Sequence, residues 1–390
     1  MPESISREAA SAVWPPAPKP DTRLAHYRRL APSAGVFVSP IQFGAMSIGN
    51  AWPGIGAGDK EYSFKLLDAY YGAGGNFIDT ASLYQFGQSE EIIGDWMEAR
   101  NNRDEIVLAT KYSGNWQAHV PNKLKATFVG DSYKSMYISL EASLKKLKTH
   151  YVDIFYVHAW DYTSSIEEVM NGLHTLVTQG KVLYLGASDT PAWVVAEANR
   201  YAKDHGKTPF VIYQGLWNVT ARDFEREIIP MARAHGMALA PWNVLVQGKI
   251  RTDAEEEERR KTGQQGRPGF STSWERSEDQ KKMCKALEKV AAEVGAKSIR
   301  SVAIAYVMQK TTHVFPILGV KSVEQIQSNM EALEVALTPE HIKFIEDVLP
   351  FDPGFPHNML GDGTVPQPAI RSSIYFEQDP VPPALRPSKD

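Results

Sequence analysis

Four side chains able to carry out acid–base chemistry lie at or just after short apolar segments of the sequence. They are Asp79, Tyr84, Lys111 and His158, and the segments read NFIDTASLY, EIVLATK and YVDIFYVH. If these segments are neighbouring parallel strands of one barrel, a carboxylate, a phenol, an ammonium and an imidazole meet at its carboxyl-terminal mouth, where such barrels carry out chemistry. We therefore expect the four side chains to form one site.

Tyr84 is the candidate proton donor of this set. A tyrosine phenol normally titrates at about pH 10, which makes it a poor acid at neutral pH. The ammonium of Lys111 would lower the pKa of the phenol, and Asp79 would hold that ammonium in place and charged. Such a set is suited to protonating a carbonyl oxygen while another group delivers hydride.

Each of the four residues also has an ordinary structural explanation. Asp79 could cap a turn, and Tyr84 could be a packed aromatic residue with a hydrated hydroxyl. Lys111 could be a solvated lysine, and His158 could be a core histidine with satisfied hydrogen bonds. The four together, at these spacings, favour the catalytic interpretation.

Several blocks of the sequence resemble the aldo-keto reductase superfamily, and they follow the order of that family over roughly residues 35 to 340. The blocks read FIDTASLYQFGQSEEIIG, ATK, DIFYVHAWD, GKVLYLGASD and ILGVKSVEQIQSNMEAL. This resemblance implies an Asp-Tyr-Lys-His tetrad made of the four residues named above. Tyr84 would be the general acid in carbonyl reduction and the general base in alcohol oxidation, while His158 orients the carbonyl oxygen.

The hydride would come from a cofactor, so the mechanism requires no metal. The sequence has no strand-linked G-x-G-x-x-G, because the glycines of PGIGAGDK at 53–60 have the wrong spacing and are more typical of a flexible loop. The resemblance implies instead a nicotinamide dinucleotide bound in an extended form across the barrel. NADPH is the expected cofactor, with NADH as a weaker possibility.

The nicotinamide half of the cofactor is expected to contact four residues. Ser188 and Gln214 stand where the family binds the carboxamide, and Asp189 stands where asparagine is usual; a carboxylate accepts from the amide nitrogen but cannot donate to its oxygen. Trp242 stands where the family has a stacking tyrosine, and an indole keeps a broad aromatic face. The alternative for Trp242 is a buried tryptophan at a strand end.

The adenosine half is expected to contact residues of the ILGVKSVEQIQSNMEAL block. Those that match the family are Gly319, Lys321, Ser322, Gln325 and Asn329. Lys321 and Ser322 could bind a 2′-phosphate through charge and hydroxyl donation, which favours NADPH. Gln325 stands where many relatives have arginine, and this difference weakens the preference.

Aromatic residues in the predicted loops of the mouth indicate the substrate class. These are Trp52, Trp116, Trp160 and Trp217. An aromatic mouth suits a planar apolar carbonyl compound, although core packing could explain some of the nine tryptophans.

The stretches ASDTPAW, PW and VHAWD resemble the fungal aryl-alcohol dehydrogenase and norsolorinic acid reductase branch. This resemblance implies interconversion of aromatic aldehydes and alcohols. Reduction of an aromatic polyketide ketone is the alternative within the branch. A third possibility is a cofactor-binding regulatory protein similar to potassium-channel β subunits.

Apolar segments alternate with amphipathic segments along the chain, and this pattern predicts an α/β protein with a closed (β/α)8 TIM barrel. We expect strands near residues 41–46, 75–79, 105–110, 152–157, 182–187, 210–214, 237–241 and 313–317. We expect helices near residues 59–72, 89–99, 132–148, 164–179, 191–204, 223–235, 279–294, 299–310 and 322–335.

The domain organisation predicted from the sequence is one barrel with extended loops. Residues 1–34 are predicted to be an extended N-terminal lead-in, and residues 35–349 the catalytic barrel. The charged, glycine-containing insertion at 251–278 is either a mobile lid or a solvated loop. Residues 350–390 are expected to form an irregular tail whose aromatic residues fold back over the mouth.

Composition narrows the remaining possibilities. The formal net charge of −4 argues against a nucleic-acid surface, and the single cysteine, Cys284, excludes an intrachain disulfide and a cysteine-based zinc site. No stretch approaches about 18 consecutive apolar residues, and the first residues lack the apolar core of a signal peptide. We therefore expect a cytoplasmic protein with a small-molecule substrate and no membrane partner. The oligomeric state stays open.

Overall fold

The computed structural model of the chain describes residues 11–263 and 273–387. An antiparallel pair comes first, β1 (Arg28–Ala31) and β2 (Ala34–Val38). Eight parallel strands follow: β3 (Gln42–Gly44), β4 (Phe77–Asp79), β5 (Val107–Tyr112), β6 (Val152–Val157), β7 (Val182–Ser188), β8 (Phe210–Leu216), β9 (Ala238–Trp242) and β10 (Ile317–Gly319). Their order in the sheet is β10-β3-β4-β5-β6-β7-β8-β9.

The sheet curves until its two edges meet. Leu239 of β9 donates its backbone N–H to the carbonyl of His313 at 2.9 Å and accepts from the N–H of Phe315 at 2.8 Å. These bonds join β9 to the segment before β10, so the eight strands form a nearly closed barrel. The predicted (β/α)8 TIM barrel is confirmed.

The helices that cover the barrel are α1 (Lys60–Gly72), α2 (Gln88–Arg100), α3 (Tyr133–Lys146), α4 (Ile166–Thr178), α5 (Ala192–Asp204), α6 (Ile228–His235), α7 (Asp253–Thr262), α8 (Glu278–Val294), α9 (Ile299–Lys310), α10 (Val323–Met330), α11 (Pro339–Val348), α12 (His357–Leu360) and α13 (Pro368–Ser373). At the start of several of these helices, a side chain accepts a hydrogen bond from a backbone N–H of the first turn that has no partner within the helix. Asp59 caps α1, Ser132 caps α3 and Ser165 caps α4 in this way.

The core has two layers. Strands β5 and β6 are buried along their whole length, because one face packs inside the barrel and the other packs against helices. Inside the barrel, a cluster that includes Phe77, Ile154 and Phe315 extends to Leu30 and Val38 of the β1–β2 pair. The last part of the predicted lead-in, residues 28–34, is therefore packed structure.

The insertion after β9 differs from the prediction. Residues 253–262 form helix α7 rather than a loop, with a capping box between Thr252 and Glu255. Glu256 of this helix is buried and accepts from Arg251 and Arg276. Residues 264–272 lie outside the described residues. Helix α7 was not predicted, because charge pairs rather than an apolar stripe hold it against the rest of the protein.

The tail does not cover the mouth in the part of the chain that the structure describes. Its aromatic residues Phe355, Tyr375 and Phe376 are exposed. The segment from 353 to 362 lies along α6 on the outside of the barrel: Arg226, just before α6, donates to the carbonyl of Pro353 at 2.8 Å, and Arg233 of α6 pairs with Asp362 at 3.6 Å. The expectation that these aromatic residues fold over the mouth was wrong. Helices α11 to α13 were also missed.

Candidate active site

Lys111 is the centre of the cluster at the barrel mouth. It projects from β5, its side chain is fully buried, and its Nζ donates to Asp79 Oδ2 at 2.7 Å and to the carbonyl of Thr80 at 2.7 Å. The same Nζ lies 3.4 Å from Tyr84 Oη. Burial has the largest single effect and lowers the pKa of Lys111, but Asp79 and Tyr84 together raise it more, so the net pKa is above its ordinary value. The ammonium is charged at neutral pH.

Asp79, at the end of β4, uses its second oxygen as well. Gln214 of β8 donates from Nε2 to Asp79 Oδ1 at 2.9 Å. One buried carboxylate therefore connects β4, β5 and β8 and receives two side-chain donors. Hydrogen bonds to a carboxylate stabilise its charged form.

Tyr84 lies in a 3-10 turn, Tyr84–Gly87, directly after β4. Gln85 and Phe86 in this turn have positive φ values of 51° and 55°, which non-glycine residues rarely adopt. The side chain of Gln85 holds the turn: its Nε2 donates to the carbonyl of Met46 at 2.9 Å, and its Oε1 accepts from the N–H of Trp52 at 2.6 Å. This turn brings the phenol to Lys111.

The pKa of Tyr84 differs from the expectation. Burial raises the pKa of the phenol, and the charge of Lys111 lowers it, as expected, but by less. The Asp79 carboxylate raises it further, so the net pKa lies above the ordinary value of tyrosine. The predicted net lowering was wrong for this state of the protein, because a sequence does not show burial. The phenol is therefore protonated at neutral pH and able to donate.

His158 follows β6 and faces Tyr84, with the two rings edge to face and their centroids 5.8 Å apart. Burial and the charge of Lys111 lower the pKa of His158 to about 3. The imidazole is therefore neutral and has one N–H to donate. Its Nδ1 is buried and has no hydrogen-bond partner among the described residues.

Two carboxylates that were not predicted from the sequence, Asp131 and Asp161, are linked to the backbone of His158 through Ser113. The backbone N–H of His158 donates to Ser113 Oγ at 3.2 Å, and Ser113 Oγ donates to Asp131 Oδ1 at 2.5 Å. Asp131 and Asp161 each accept the other's backbone N–H, at 2.8 and 2.6 Å. Asp161 stands in the DIFYVHAWD block, but its partner is 30 residues away in sequence and belongs to no local motif.

The residues predicted for the nicotinamide lie at the ends of three consecutive strands. Ser188 ends β7, Gln214 lies in β8, and Trp242 ends β9. The indole Nε1 of Trp242 donates to Asp189 Oδ1 at 3.1 Å. Ser188 Oγ is buried and has no partner among the described residues. An orphaned hydroxyl, an amide, a carboxylate and a partly exposed indole at one edge fit a planar ring that carries a carboxamide.

The residues predicted for the adenosine half lie after β10. Ser322 caps α10 and accepts from the N–H of Gln325, whose Oε1 accepts from the N–H of Lys321 at 2.7 Å. Lys321 Nζ donates to the carbonyl of Gly54 at 2.8 Å, which ties this loop to the glycine-rich loop after β3. Gly319 ends β10, and Asn329 is buried within α10.

The four candidate substrate tryptophans are in different surroundings. Trp52 lies beside the Tyr84 phenol, with its ring centroid 6.3 Å from that of Tyr84. Trp116 packs edge-on against Phe128, with their centroids 5.4 Å apart.

The other two tryptophans belong to the packing of the barrel. Trp160 lines a small apolar cavity with Ile166 and Phe210, between the strands and the helices. Trp217 is fully buried, stacks on Phe224 at 5.3 Å and donates to Glu225. Trp217 is therefore a core residue of this structure, and its contact with a substrate stays a prediction.

Residues 11–263 and 273–387 contain no group of three His, Cys, Asp or Glu side chains placed to hold a metal ion. In the same ranges, each helix is too short or too polar to cross a membrane.

The similarity of the chain to known proteins is consistent with the geometry of the site. The model of the aldo/keto reductase family matches residues 40–350. A protein named aryl-alcohol dehydrogenase [NADP(+)] from Phanerodontia chrysosporium is 58% identical over 97% of this chain and 100% of its own length. Norsolorinic acid reductase B from Dothistroma septosporum is 49% identical over 94% of this chain and 95% of its own. Norsolorinic acid reductase A from Aspergillus parasiticus is 48% identical over 89% and 87%.

Proposed function

The chain belongs to the aldo/keto reductase family of oxidoreductases, and we propose that it interconverts an aromatic aldehyde and its aryl alcohol with NADP(H) as cofactor. The observation that carries this proposal is the position of Lys111 Nζ, 2.7 Å from Asp79 and 3.4 Å from Tyr84 Oη. A buried ammonium at this position stabilises negative charge on the phenol oxygen once the proton has left. We assign the catalytic unit to residues 35–349, which the family match at 40–350 supports.

In the reduction direction, NADPH supplies the hydride that reaches the carbonyl carbon. Tyr84 donates its Oη proton to the carbonyl oxygen, and the phenolate that remains lies beside Lys111. Asp79 keeps Lys111 charged throughout. In the oxidation direction the phenolate takes the proton of the alcohol, so the same residue acts as general base.

His158 acts as a neutral hydrogen-bond donor. Because its pKa is lowered to about 3, it does not exchange protons with the substrate at neutral pH. Its edge-to-face contact with Tyr84, at 5.8 Å between the ring centroids, supports a role beside the oxygen that Tyr84 protonates. A donor fixed in a water-poor site stabilises charge that develops on that oxygen.

The cofactor is held through two groups of residues. Ser188, Asp189 and Gln214 would hold the carboxamide, and Trp242 would offer its aromatic face to the ring. Lys321 and Ser322 bind the 2′-phosphate, with Gly319, Gln325 and Asn329 completing the adenosine end. An ammonium and a hydroxyl at the phosphate favour NADPH and leave NADH as a weaker cofactor.

The aromatic side chains at the mouth support the choice of substrate. Trp52 lies next to Tyr84, and Trp116 packs in the loop after β5. An apolar, planar substrate buries its ring against such residues while its carbonyl group reaches Tyr84 and His158. The name of the Phanerodontia relative gives the same class.

A second candidate is reduction of an aromatic polyketide ketone. It is favoured by two relatives named norsolorinic acid reductase, at 49% and 48% identity. Both candidates use the same proton donor and cofactor. They differ in the size of the substrate and in its carbonyl group, which is an aldehyde in the first candidate and a ketone in the second.

One panel of substrates tests the proposal. Benzaldehydes, aliphatic aldehydes, aryl ketones and polyketide quinones are assayed with NADPH and with NADH. The highest kcat/KM is expected for benzaldehydes with NADPH. Preference for polyketide quinones would replace the first candidate by the second. Tight NADPH binding with very slow turnover of every compound would contradict both and favour a regulatory protein.

A further inference from the structure

Asp189 adds a second carboxylate to the nicotinamide end of the site, and the proton-transfer mechanism does not use it. The residue follows β7 and is exposed at the mouth, and its Oδ1 accepts the indole N–H of Trp242 at 3.1 Å. The indole lies at the end of β9, two strands away. A carboxylate is therefore fixed next to the aromatic face proposed to stack on the nicotinamide ring.

The backbone holds Asp189 in this position. Its φ is +43°, in the left-handed region, and its N–H donates to the carbonyl of Gln214 at 3.0 Å. The next residue, Thr190, is fixed in turn: its carbonyl accepts from Tyr213 Oη at 2.7 Å. The carboxylate is thus held by backbone and side-chain bonds from β8 and β9.

The charges around Asp189 do not cancel. The cation whose charge acts on Asp189 is Lys111, and this ammonium is already paired with Asp79 at 2.7 Å. His158 is neutral. Two carboxylates and one ammonium leave an excess of one negative charge at this end of the mouth when Asp189 is ionised. The nicotinamide ring is positive when oxidised and neutral when reduced, so the excess charge acts differently on the two forms.

We propose that Asp189, held by Trp242, makes the site bind NADP+ more tightly relative to NADPH than a neutral residue would. This inference rests on the cofactor of the proposed function. Asp189 acts as a determinant of cofactor oxidation state rather than as an acid or base. By stabilising the oxidised ring on the protein, it favours hydride transfer from the reduced cofactor to the carbonyl carbon, which is carbonyl reduction.

The test measures the dissociation constants of NADP+ and NADPH directly, by calorimetry at pH 8, for the wild type and for Asp189→Asn. Asparagine keeps the size of the side chain and an oxygen that can accept from the indole. The ratio Kd(NADPH)/Kd(NADP+) is expected to fall about tenfold, mainly through weaker NADP+ binding; a tenfold change equals about 1.4 kcal/mol.

Asp204→Asn is the matched control. Asp204 is exposed at the far end of α5, the helix that follows Asp189, and its substitution removes the same charge. A helix of 13 residues is about 20 Å long. The control should leave the ratio unchanged. A ratio that is the same in Asp189→Asn and in the wild type, or that changes equally in both variants, would overturn the inference.

A measurement on the wild type keeps the test decisive if Asp189→Asn does not fold. Partial desolvation by the surrounding protein raises the pKa of Asp189 to about 6, so lowering the pH from 8 to 5 protonates it and should reduce the ratio as the variant does. The titratable groups facing Asp189 are Lys111, Tyr84 and Tyr213, and their raised pKa values keep all three protonated over this range. A ratio that does not change with pH overturns the inference. Failure of the wild type to bind either cofactor would instead contradict the proposed function.

Discussion

Gln214 donates its side-chain N–H to Asp79 Oδ1 at 2.9 Å, across the barrel from β8 to β4. The first residue is proposed to bind the nicotinamide carboxamide, and the second belongs to the proton-transfer set. Because the other oxygen of Asp79 accepts from Lys111, a single carboxylate connects the cofactor side of the site with the proton side. The two halves of the reaction are therefore expected to respond together when this connection is lost.

Replacing Gln214 by methionine tests that connection. Methionine has a similar length but cannot donate, and loss of a hydrogen bond to a charged group costs about 1.5–3 kcal/mol. We expect a Kd for NADPH raised roughly tenfold and, in addition, a lower kcat at saturating cofactor. Ser188→Ala is the matched control, because the Ser188 hydroxyl has no protein partner in the described residues. Ser188→Ala should weaken NADPH binding without lowering kcat. An unchanged kcat in Gln214→Met would show that the cofactor side and the proton side of the site are not connected through Asp79.

The neutral state of His158 can be observed by NMR. Burial and the charge of Lys111 lower the pKa of its imidazole to about 3, so the ring should not titrate between pH 5 and pH 8. The Cε1–H resonance of His158, assigned by its loss in His158→Gln, is expected to keep its chemical shift over this range. A resonance that moves with a midpoint near the ordinary histidine value, about 6.5, would show a protonated donor and contradict the proposed role.

Lys321 is expected to select the phosphate of NADPH. Lys321→Ala should raise KM for NADPH about tenfold or more, the effect of losing one charge-assisted hydrogen bond, and should change KM for NADH much less. Lys321→Arg keeps the charge and should retain most of the preference. The ammonium also donates to the carbonyl of Gly54, so loosening of that loop is the competing explanation. That explanation predicts equal changes with both cofactors.

The charged helix α7 depends on one buried carboxylate. Glu256 Oε2 accepts from Arg251 Nη2 and from Arg276 Nε, each at 2.8 Å, and all three side chains are 4% exposed or less. Glu256→Gln takes away the carboxylate that pairs with the buried Arg251 guanidinium, and it leaves Arg276 with the partly exposed Asp253 as counter-ion. We expect the free energy of unfolding, measured in urea, to fall by about 3–5 kcal/mol. Glu257→Gln breaks a half-exposed pair with Arg260 and should cause little change; equal effects of the two substitutions would disprove the role of Glu256.

The barrel and the tetrad could be predicted because both depend on patterns that are local in the sequence. Apolar segments followed by polar residues mark strand ends, and parallel strands bring their ends to one mouth. Asp79, Tyr84, Lys111 and His158 are therefore found together although up to 79 positions separate them in the sequence.

The burial of a side chain, and a contact between residues far apart in the sequence, could not be predicted from local patterns. Trp217 is a core residue because it stacks on Phe224 in the folded chain. The net pKa of Tyr84 depends on how much water its phenol loses, which outweighs the charge of Lys111. The reciprocal bonds of Asp131 and Asp161 join two loops that have no common motif.

Tyr84→Phe shows whether Tyr84 supplies the proton. The substitution removes one oxygen and keeps the ring that packs against Trp52 and His158. With an aromatic aldehyde and saturating NADPH, kcat should fall by about 10²–10⁴-fold, the usual contribution of a positioned acid, while the directly measured Kd for NADPH stays within about twofold. A kcat near that of the wild type would contradict the assignment of Tyr84 as the general acid.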